Sequence, residues 1–392
     1  MRKKLYVWEK IMPEKVNVRV NNLENNEIVK LISVPVSPSE RYLCGFLFPE
    51  RYPDVDFEGY AYLLTQDLDF YNKTSSSALY SDSLEEIDLK DNDIIKIDAK
   101  HQQFQFLYRV DGNANCLFVT DCCNSHCLMC PQPPKLENTV EIEQLRRHVD
   151  CLPVDLKEIC VTGGEPTLLG DELVSLLKRL AKHCPECHVH MLTNARKFKD
   201  FNFARQCISA GLKGISFGIP LYSSDPECHD YIVQSKGSFA ETLEGIYNLA
   251  KFDASIEIRV VLTKVNVSLL TELVDFIYRN LTFVDHIAIM GMEHMGYVKL
   301  NWGKVYIDPV DYQEYLVSAV RFLKLRGMNV SVYNLPLCIL DKKLWLFSKN
   351  SITDSKRSFD EKCSSCSVQS KCGGVFRRQM GAMHIKPIVS CN

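Results

Sequence analysis

The sequence predicts an α/β protein built on a partial (β/α)6 TIM-like barrel, and three observations point there. Between residues 113 and 304, short apolar runs alternate with helical periodicity, the rhythm of parallel strands joined by helices. Polar and cysteine-bearing residues fall mostly at the C-terminal ends of those runs, where such barrels gather their chemistry. Outside these limits the rhythm stops. Residues 1–112 read as an N-terminal β-rich domain, and residues 305–392 as a C-terminal cysteine-rich extension.

The elements follow in order. Alternation predicts N-terminal strands at 16–20, 27–32 and 94–97, with the Ser- and Tyr-rich stretch 72–83 as a loop. The first barrel strand is the apolar run Leu117-Phe118-Val119, and a helix is expected over 140–149. Strand two covers 155–161 and ends in Thr162-Gly163-Gly164-Glu165-Pro166, after which Asp171 is placed to cap a helix over 172–183. Strands three to six are expected at 188–192, 214–219, 255–262 and 286–290, with a helix over 269–280. Beyond the barrel, a helix over 310–326 ends at Gly327 and leads into a strand at 328–333.

Bulk properties narrow the function. With 46% hydrophobic and 24% charged residues, the 392-residue chain has the composition of a soluble globular protein. A formal net charge of -3 argues against broad nucleic-acid binding. The basic N-terminus lacks the apolar core of a signal peptide, and no stretch reaches the length of a membrane span. Seventeen cysteines without an export signal point to metal or redox use in a reducing compartment, so a cytoplasmic location is expected.

The chemistry concentrates in three places. After the first strand, Cys123, Cys127 and Cys130 stand in C-x3-C-x2-C spacing, and Cys122 offers C-x4-C-x2-C instead. A loop of this kind presents three thiolates to three irons of a cubane, leaving one iron open for a small molecule. A zinc knuckle is the plainer alternative. Gly163-Gly164-Glu165-Pro166 closes the second strand, where glycines let the backbone approach a ligand and a carboxylate accepts from an ammonium group. Near the end, Cys363, Cys366 and Cys372 form C-x2-C-x5-C, and Cys338 upstream makes a fourth. Four thiolates close a metal site, as a second cluster or as zinc. Cys391 is a spare. Cys184-Pro185-Glu186-Cys187, flanked by histidines, reads as a helix end rather than a metal site. Cys44, Cys116, Cys151, Cys160, Cys207 and Cys228 read as small core residues.

The cluster loop and the GGEP turn together resemble the radical S-adenosylmethionine (SAM) enzymes. That resemblance selects Cys123 over Cys122 and implies a [4Fe-4S] cluster with SAM bound at its open iron. It implies that Gly163, Gly164, Glu165 and Pro166 hold the methionine end of SAM, with Asn194 and Ser216 near the same ligand. The family often carries an arginine shortly after the fourth strand. Here that segment, His229 to Gln234, has none, and Arg259 on the fifth strand is the substitute. Gly291 and Glu293 match a motif near the adenine. The loop CNSHCLMCPQPPK and the tail SITDSKRSFDEKCSSCSVQSKCGG further resemble the radical SAM maturase of the His-Xaa-Ser repeat system (the HxsC type). This likeness implies an auxiliary [4Fe-4S] cluster on Cys338, Cys363, Cys366 and Cys372 in a twitch- or SPASM-like extension. It also implies a peptide or protein substrate with His-Xaa-Ser repeats, a second radical SAM maturase as partner, and an electron donor such as flavodoxin or ferredoxin. Two rival readings are a radical SAM enzyme for a small molecule or nucleotide, and a non-enzymatic metal-binding scaffold.

Overall fold

The computed structural model describes residues 15–21, 27–112, 115–353, 356–379 and 384–388. Its N-terminal part is one mixed sheet of β1 (Lys15–Asn17), β2 (Arg19–Val20), β3 (Glu27–Ile32), β4 (Cys44–Leu47), β5 (Tyr62–Thr65), β6 (Ala78–Tyr80), β7 (Ile94–Asp98) and β8 (Gln103–Tyr108). The order across it is β1-β8-β7-β3-β4-β5-β6-β2. The two edge strands β1 and β2 are separated in sequence only by Val18. One residue spans about 3.5 Å, so the sheet curls until its edges nearly meet. Val29, Leu31, Leu64, Ile95 and Phe104 fill the interior.

The stretch expected as a loop at 72–83 holds the end of a short helix, α1 (Leu68–Lys73), and β6. The Asp67 carboxylate caps α1 by accepting from the Asp69 and Phe70 N–H groups. β6 is three residues long, and its pairing with β5 makes it a strand where its sequence alone is ambiguous.

The second sheet has seven parallel strands in sequence order: β9 (Cys116–Phe118), β10 (Glu158–Thr162), β11 (His188–Leu192), β12 (Gly214–Pro220), β13 (Ser255–Val261), β14 (His286–Met290) and β15 (Val330–Tyr333). The helices between them are α2 (Ile142–Cys151), α3 (Asp171–His183), α4 (Phe201–Ile208), α5 (Pro226–Val233), α6 (Ser238–Ala250), α7 (Leu270–Asn280), α8 (Tyr297–Val305) and α9 (Gln313–Leu325). β9 and β15 do not pair, so the barrel is open.

Six strands were expected and seven are found. The strand at 330–333, placed in the C-terminal extension by its sequence position, pairs parallel to β14. The physical reason is α9, which buries Leu316, Ala319, Val320 and Leu323 against the barrel and turns the chain back onto the sheet edge. The sheet therefore continues past the expected boundary at 304. Asp171 is the first residue of α3 rather than its cap, and the N-cap is Gly170 with no side-chain bond.

Each strand divides its residues between two environments. Val189, Met191, Phe217, Ile256, Ile258, Ile287 and Val332 face outward into the main core, beneath the helices. α7 answers with Leu270, Leu273, Val274 and Ile277 at helical spacing, each burial contributing roughly 1.5–3 kcal/mol. The alternate residues face the lumen, and many are polar: His190, Ser216, Glu257, His286 and Ser331 are all buried. The N-terminal sheet docks on α2. Arg147 Nε donates to the Ile28 carbonyl (2.6 Å) and Nη2 to that of Tyr42 (2.7 Å), and the guanidinium pairs with Glu27 at 3.0 Å.

Candidate metal and cofactor site

At the C-terminal ends of the strands lies a cavity of about 280 Å³. Cys123, Cys127 and Cys130 line it, together with Gly163, Gly164, Glu165, Asn194, Arg259, Gly291 and Glu293. The cysteine loop leaves β9 and is fastened from three sides. Gly164 N donates to the Thr120 carbonyl (2.7 Å) and Glu165 N to that of Cys122 (2.8 Å). From α8, Tyr297 N reaches the Cys130 carbonyl (2.9 Å) and the Asn301 amide reaches that of Leu128 (3.0 Å). Arg196 donates through Nη1 to the Asn124 carbonyl (2.6 Å) and Ser125 Oγ (3.1 Å), while its Nε pairs with Glu241 at 2.7 Å.

The two glycines have a structural reason that the sequence reading assigned to the ligand. A Cβ on Gly164 would sit 2.1 Å from the Cys122 carbonyl oxygen, and one on Gly163 would sit 2.5 Å from that of Thr120. Only glycine lets the end of β10 lie this close to the cluster loop. Cys122 contributes its backbone here. Its thiol faces the Leu136 carbonyl at 3.9 Å and is absent from the cavity lining.

Glu165 is buried, and its Oε1 accepts from Thr167 N (3.1 Å), Thr167 Oγ1 (2.6 Å) and Thr193 Oγ1 (2.6 Å). Oε2 accepts from Asn194 N (2.6 Å). Burial raises its pKa, and these hydrogen bonds pull the other way. Pro166 opens the turn that follows. The Asn194 side chain donates to Asn124 of the cluster loop at 2.6 Å. Arg259 lies within 3.3 Å of Glu257 and 3.5 Å of the Met290 sulfur.

Ser216 is the exception among the predicted contacts. Its hydroxyl bonds His188 and His190 one layer below the cavity, and it does not line it. Register explains this: position 216 is two residues short of the cavity level, where Gly218 stands.

The three thiols suit a cluster by their surroundings. Burial and the facing carboxylate of Glu165 push Cys123 up to about 12, and burial with the other two thiols pushes Cys127 higher still. Bound iron would take such groups as thiolates and release their protons. Among the described residues, no three Cys, His, Asp or Glu side chains converge on a point for a single metal ion. A cubane would meet each sulfur at a different iron.

Three residues at this site carried no signal in the motifs. Arg196 stands two residues after Asn194 in the turn closing β11. Tyr222 and His229 supply the wall after β12, where an arginine was sought: Tyr222 N donates to His229 Nδ1 at 3.3 Å, and burial pushes that imidazole down to about 4. Glu293 is neutralised by Lys356, reaching back from the extension at 3.2 Å.

In the extension, Cys338, Cys363, Cys366 and Cys372 line a second cavity of about 20 Å³. Leu337 N and Gly374 N each donate to Cys372 Sγ at 3.4 Å, and Ile388 N to Cys366 Sγ at 3.5 Å. Cys391 lies outside the described residues. Cys184 and Cys187 are buried with their thiols on the Pro153 and His188 carbonyls, and His183 is spent on the Leu152 carbonyl. Of the six cysteines expected in the core, Cys44, Cys151, Cys160 and Cys207 are buried, while Cys116 and Cys228 are half-buried.

Comparison with known proteins agrees with this geometry. Residues 117–277 match the model of the radical SAM superfamily. The chain is 31% identical over 101 residues to a protein of Methanocaldococcus jannaschii named as a glycyl-radical enzyme activating enzyme, covering 24% of this chain and 27% of that one. It is 27% identical over 165 residues to the GTP 3',8-cyclase of Campylobacter lari, covering 40% and 49%. It thus spans between a quarter and a half of these relatives' length. The solved structure of native anSMEcpe with bound AdoMet superposes with a TM-score of 0.51 at 16% identity, covering 70% of this chain and 92% of that one. The same protein with AdoMet and a peptide gives the same score.

Proposed function

We propose that this chain, a member of the radical SAM superfamily, is a maturase that modifies a ribosomally made peptide or protein. The superfamily uses a [4Fe-4S] cluster and SAM. When bound, such a cluster would supply the one-electron reduction of SAM from which this superfamily draws its radical chemistry. Cys123, Cys127 and Cys130 would hold the cluster, and the GGEP turn with Asn194 would orient the methionine end of SAM. Arg259 and His229 present N–H donors on the remaining wall. Tyr222, Met290 and Met292 add apolar surface to the cavity wall.

The single observation that carries this reading is the shared cavity. Three thiols from one loop and the GGEP turn from the next strand line one space, closed below by the sheet. The peptide substrate is supported by the tail resemblance to the His-Xaa-Ser maturase. It is supported too by the M. jannaschii relative, whose name describes an enzyme acting on another enzyme. The four cysteines of the extension would hold an auxiliary cluster. A second reading, chemistry on a nucleotide, is favoured by the C. lari match alone.

Anaerobic reconstitution tests the proposal: iron and sulfide are counted, and 5'-deoxyadenosine is assayed with dithionite as reductant. About eight irons per chain with 5'-deoxyadenosine formed is expected. Four irons plus zinc would make the extension structural, and no SAM cleavage would leave a scaffold. Co-expression with a His-Xaa-Ser repeat peptide should shift its mass. Turnover of GTP with an unchanged peptide would favour the second reading.

A further inference from the structure

Where β14 ends, Gly291, Met292 and Glu293 form one wall of the cavity, and all three line it. The side chains that hold this wall come from the end of the sheet and from the extension. Asn334, which also lines the cavity, follows β15 and donates through Nδ2 to the Gly291 carbonyl at 3.3 Å. Its Oδ1 accepts in turn from the Ser351 hydroxyl at 2.6 Å. The buried Gln379 amide donates to the Met292 carbonyl at 2.6 Å. Lys356 Nζ lies 3.2 Å from both carboxylate oxygens of Glu293, and the two side chains are only 16% and 14% exposed. An ion pair this sheltered is screened by salt far less than one on the surface.

These residues sit on segments that lead directly to the second cysteine set. Asn334 shortly precedes Cys338. Lys356 and Gln379 flank a hairpin of β16 (Arg357–Ser358) and β17 (Val375–Phe376), and Cys363, Cys366 and Cys372 lie on the loop between its strands. Arg377 N donates to the Lys356 carbonyl at 2.7 Å, which keeps the two flanks side by side. The apolar cluster beneath the hairpin is small: Ile339, Val375 and Ile385, with Cys338 and Cys363 against it. A two-stranded hairpin is marginal by itself, and closing a long loop on it costs further entropy. A metal centre on the four thiols would close that loop and add its binding free energy to the folding of the hairpin.

We propose that the extension sets the position of the 291–293 wall, with Lys356 and Gln379 as positioning residues, so that filling the four-thiol site strengthens ligand binding in the cavity. The coupling is reciprocal, since a ligand resting on this wall holds the hairpin closed. It needs no electron to pass between the two sites, and zinc in the extension would serve it as well as a cluster. It rests on the SAM-binding reading above and adds a route by which the extension acts on that site.

Hydrogen exchange of the full chain, reconstituted with iron and sulfide and followed by mass spectrometry over residues 291–296, tests the positioning without turnover. Exchange there should rise about tenfold in Lys356→Met and in Gln379→Met, and Lys356→Arg, which keeps the charge, should stay near wild type. Cys363→Ser should raise it as well. Unchanged exchange in these variants, or a Lys356→Arg that behaves like Lys356→Met, would overturn the proposal. In turnover, Lys356→Met should raise the KM for SAM about tenfold and keep the rate at saturation within a few-fold. A loss of rate at unchanged KM also overturns it. Cys363→Ser should raise the same KM, and Lys356→Met combined with Cys363→Ser should go no further than the larger single effect. Fully additive effects would mean that the two sites act independently, against the coupling. Absence of 5'-deoxyadenosine in the wild type would instead defeat the radical reading, and the exchange measurement would still decide the positioning.

Discussion

The two cysteine sites differ in what holds them. Cys123, Cys127 and Cys130 sit at the end of a parallel strand, on a loop tied by backbone bonds to β10 and α8 and by Arg196 to the turn after β11. Cys338, Cys363, Cys366 and Cys372 sit on short 3-10 turns and coil, and are held by N–H···S bonds. The first faces a cavity of about 280 Å³ and the second about 20 Å³. Three thiols with room beside them would suit a reactive cofactor, whereas four thiols around a small space would suit a closed centre. Backbone anchoring and open volume separate the two sites more clearly than cysteine spacing does.

The largest test of that contrast is ligand removal at the first site. Cys123→Ala should abolish 5'-deoxyadenosine formation, and Cys122→Ala should leave most of it. Equal loss in both would place the wrong cysteine in the cavity. Acid should damage the barrel next. His148, His190 and His229 are buried neutral, with burial lowering them to about 3, 4 and 4. A base whose folded pKa is depressed takes up protons more readily when unfolded. The stability it contributes is complete above its ordinary value of about 6.5 and is lost as pH falls toward about 4. Each adds up to about 1.4 kcal/mol per pH unit in that window. Urea midpoints measured from pH 7 to 5 should fall steadily, and a flat profile would mean that these rings keep their ordinary pKa in the fold.

Gly164→Ala attacks the rigidity directly. Its methyl meets the Cys122 carbonyl, so stability should drop by roughly 1–3 kcal/mol, with iron retention falling alongside. Wild-type iron content in this variant would show that the close approach is dispensable. Arg196→Gln should cost about 1.5–3 kcal/mol, the range for hydrogen bonds to a charged group. It should weaken cluster retention more than the melting temperature, because its bonds end on the loop. The smallest effect on SAM cleavage is expected from Cys363→Ser: iron should fall from about eight to about four per chain while cleavage stays within a few-fold. If cleavage disappears with it, the two sites are one functional unit and the contrast collapses.

Much of this was legible in the chain itself. Spacing placed three cysteines on one loop, and the glycine pair marked a close approach of backbone. The alternation in 188–192 and 255–261 already separates an outward apolar face from an inward polar one, since strand periodicity is local. Other features needed the fold. Register decided that Ser216 sits below the cavity and Gly218 at its level, and parallel pairing drew residues 330–333 into the sheet as a seventh strand. Helix packing brought His229 to the wall where an arginine was expected, and a turn brought Arg196 onto the cluster loop. Periodicity and motif spacing reach only across neighbouring residues. Depth in the barrel, an unpartnered nitrogen at His190 and a salt bridge from Lys356 to Glu293 depend on residues far apart in sequence, and tertiary structure alone decides them.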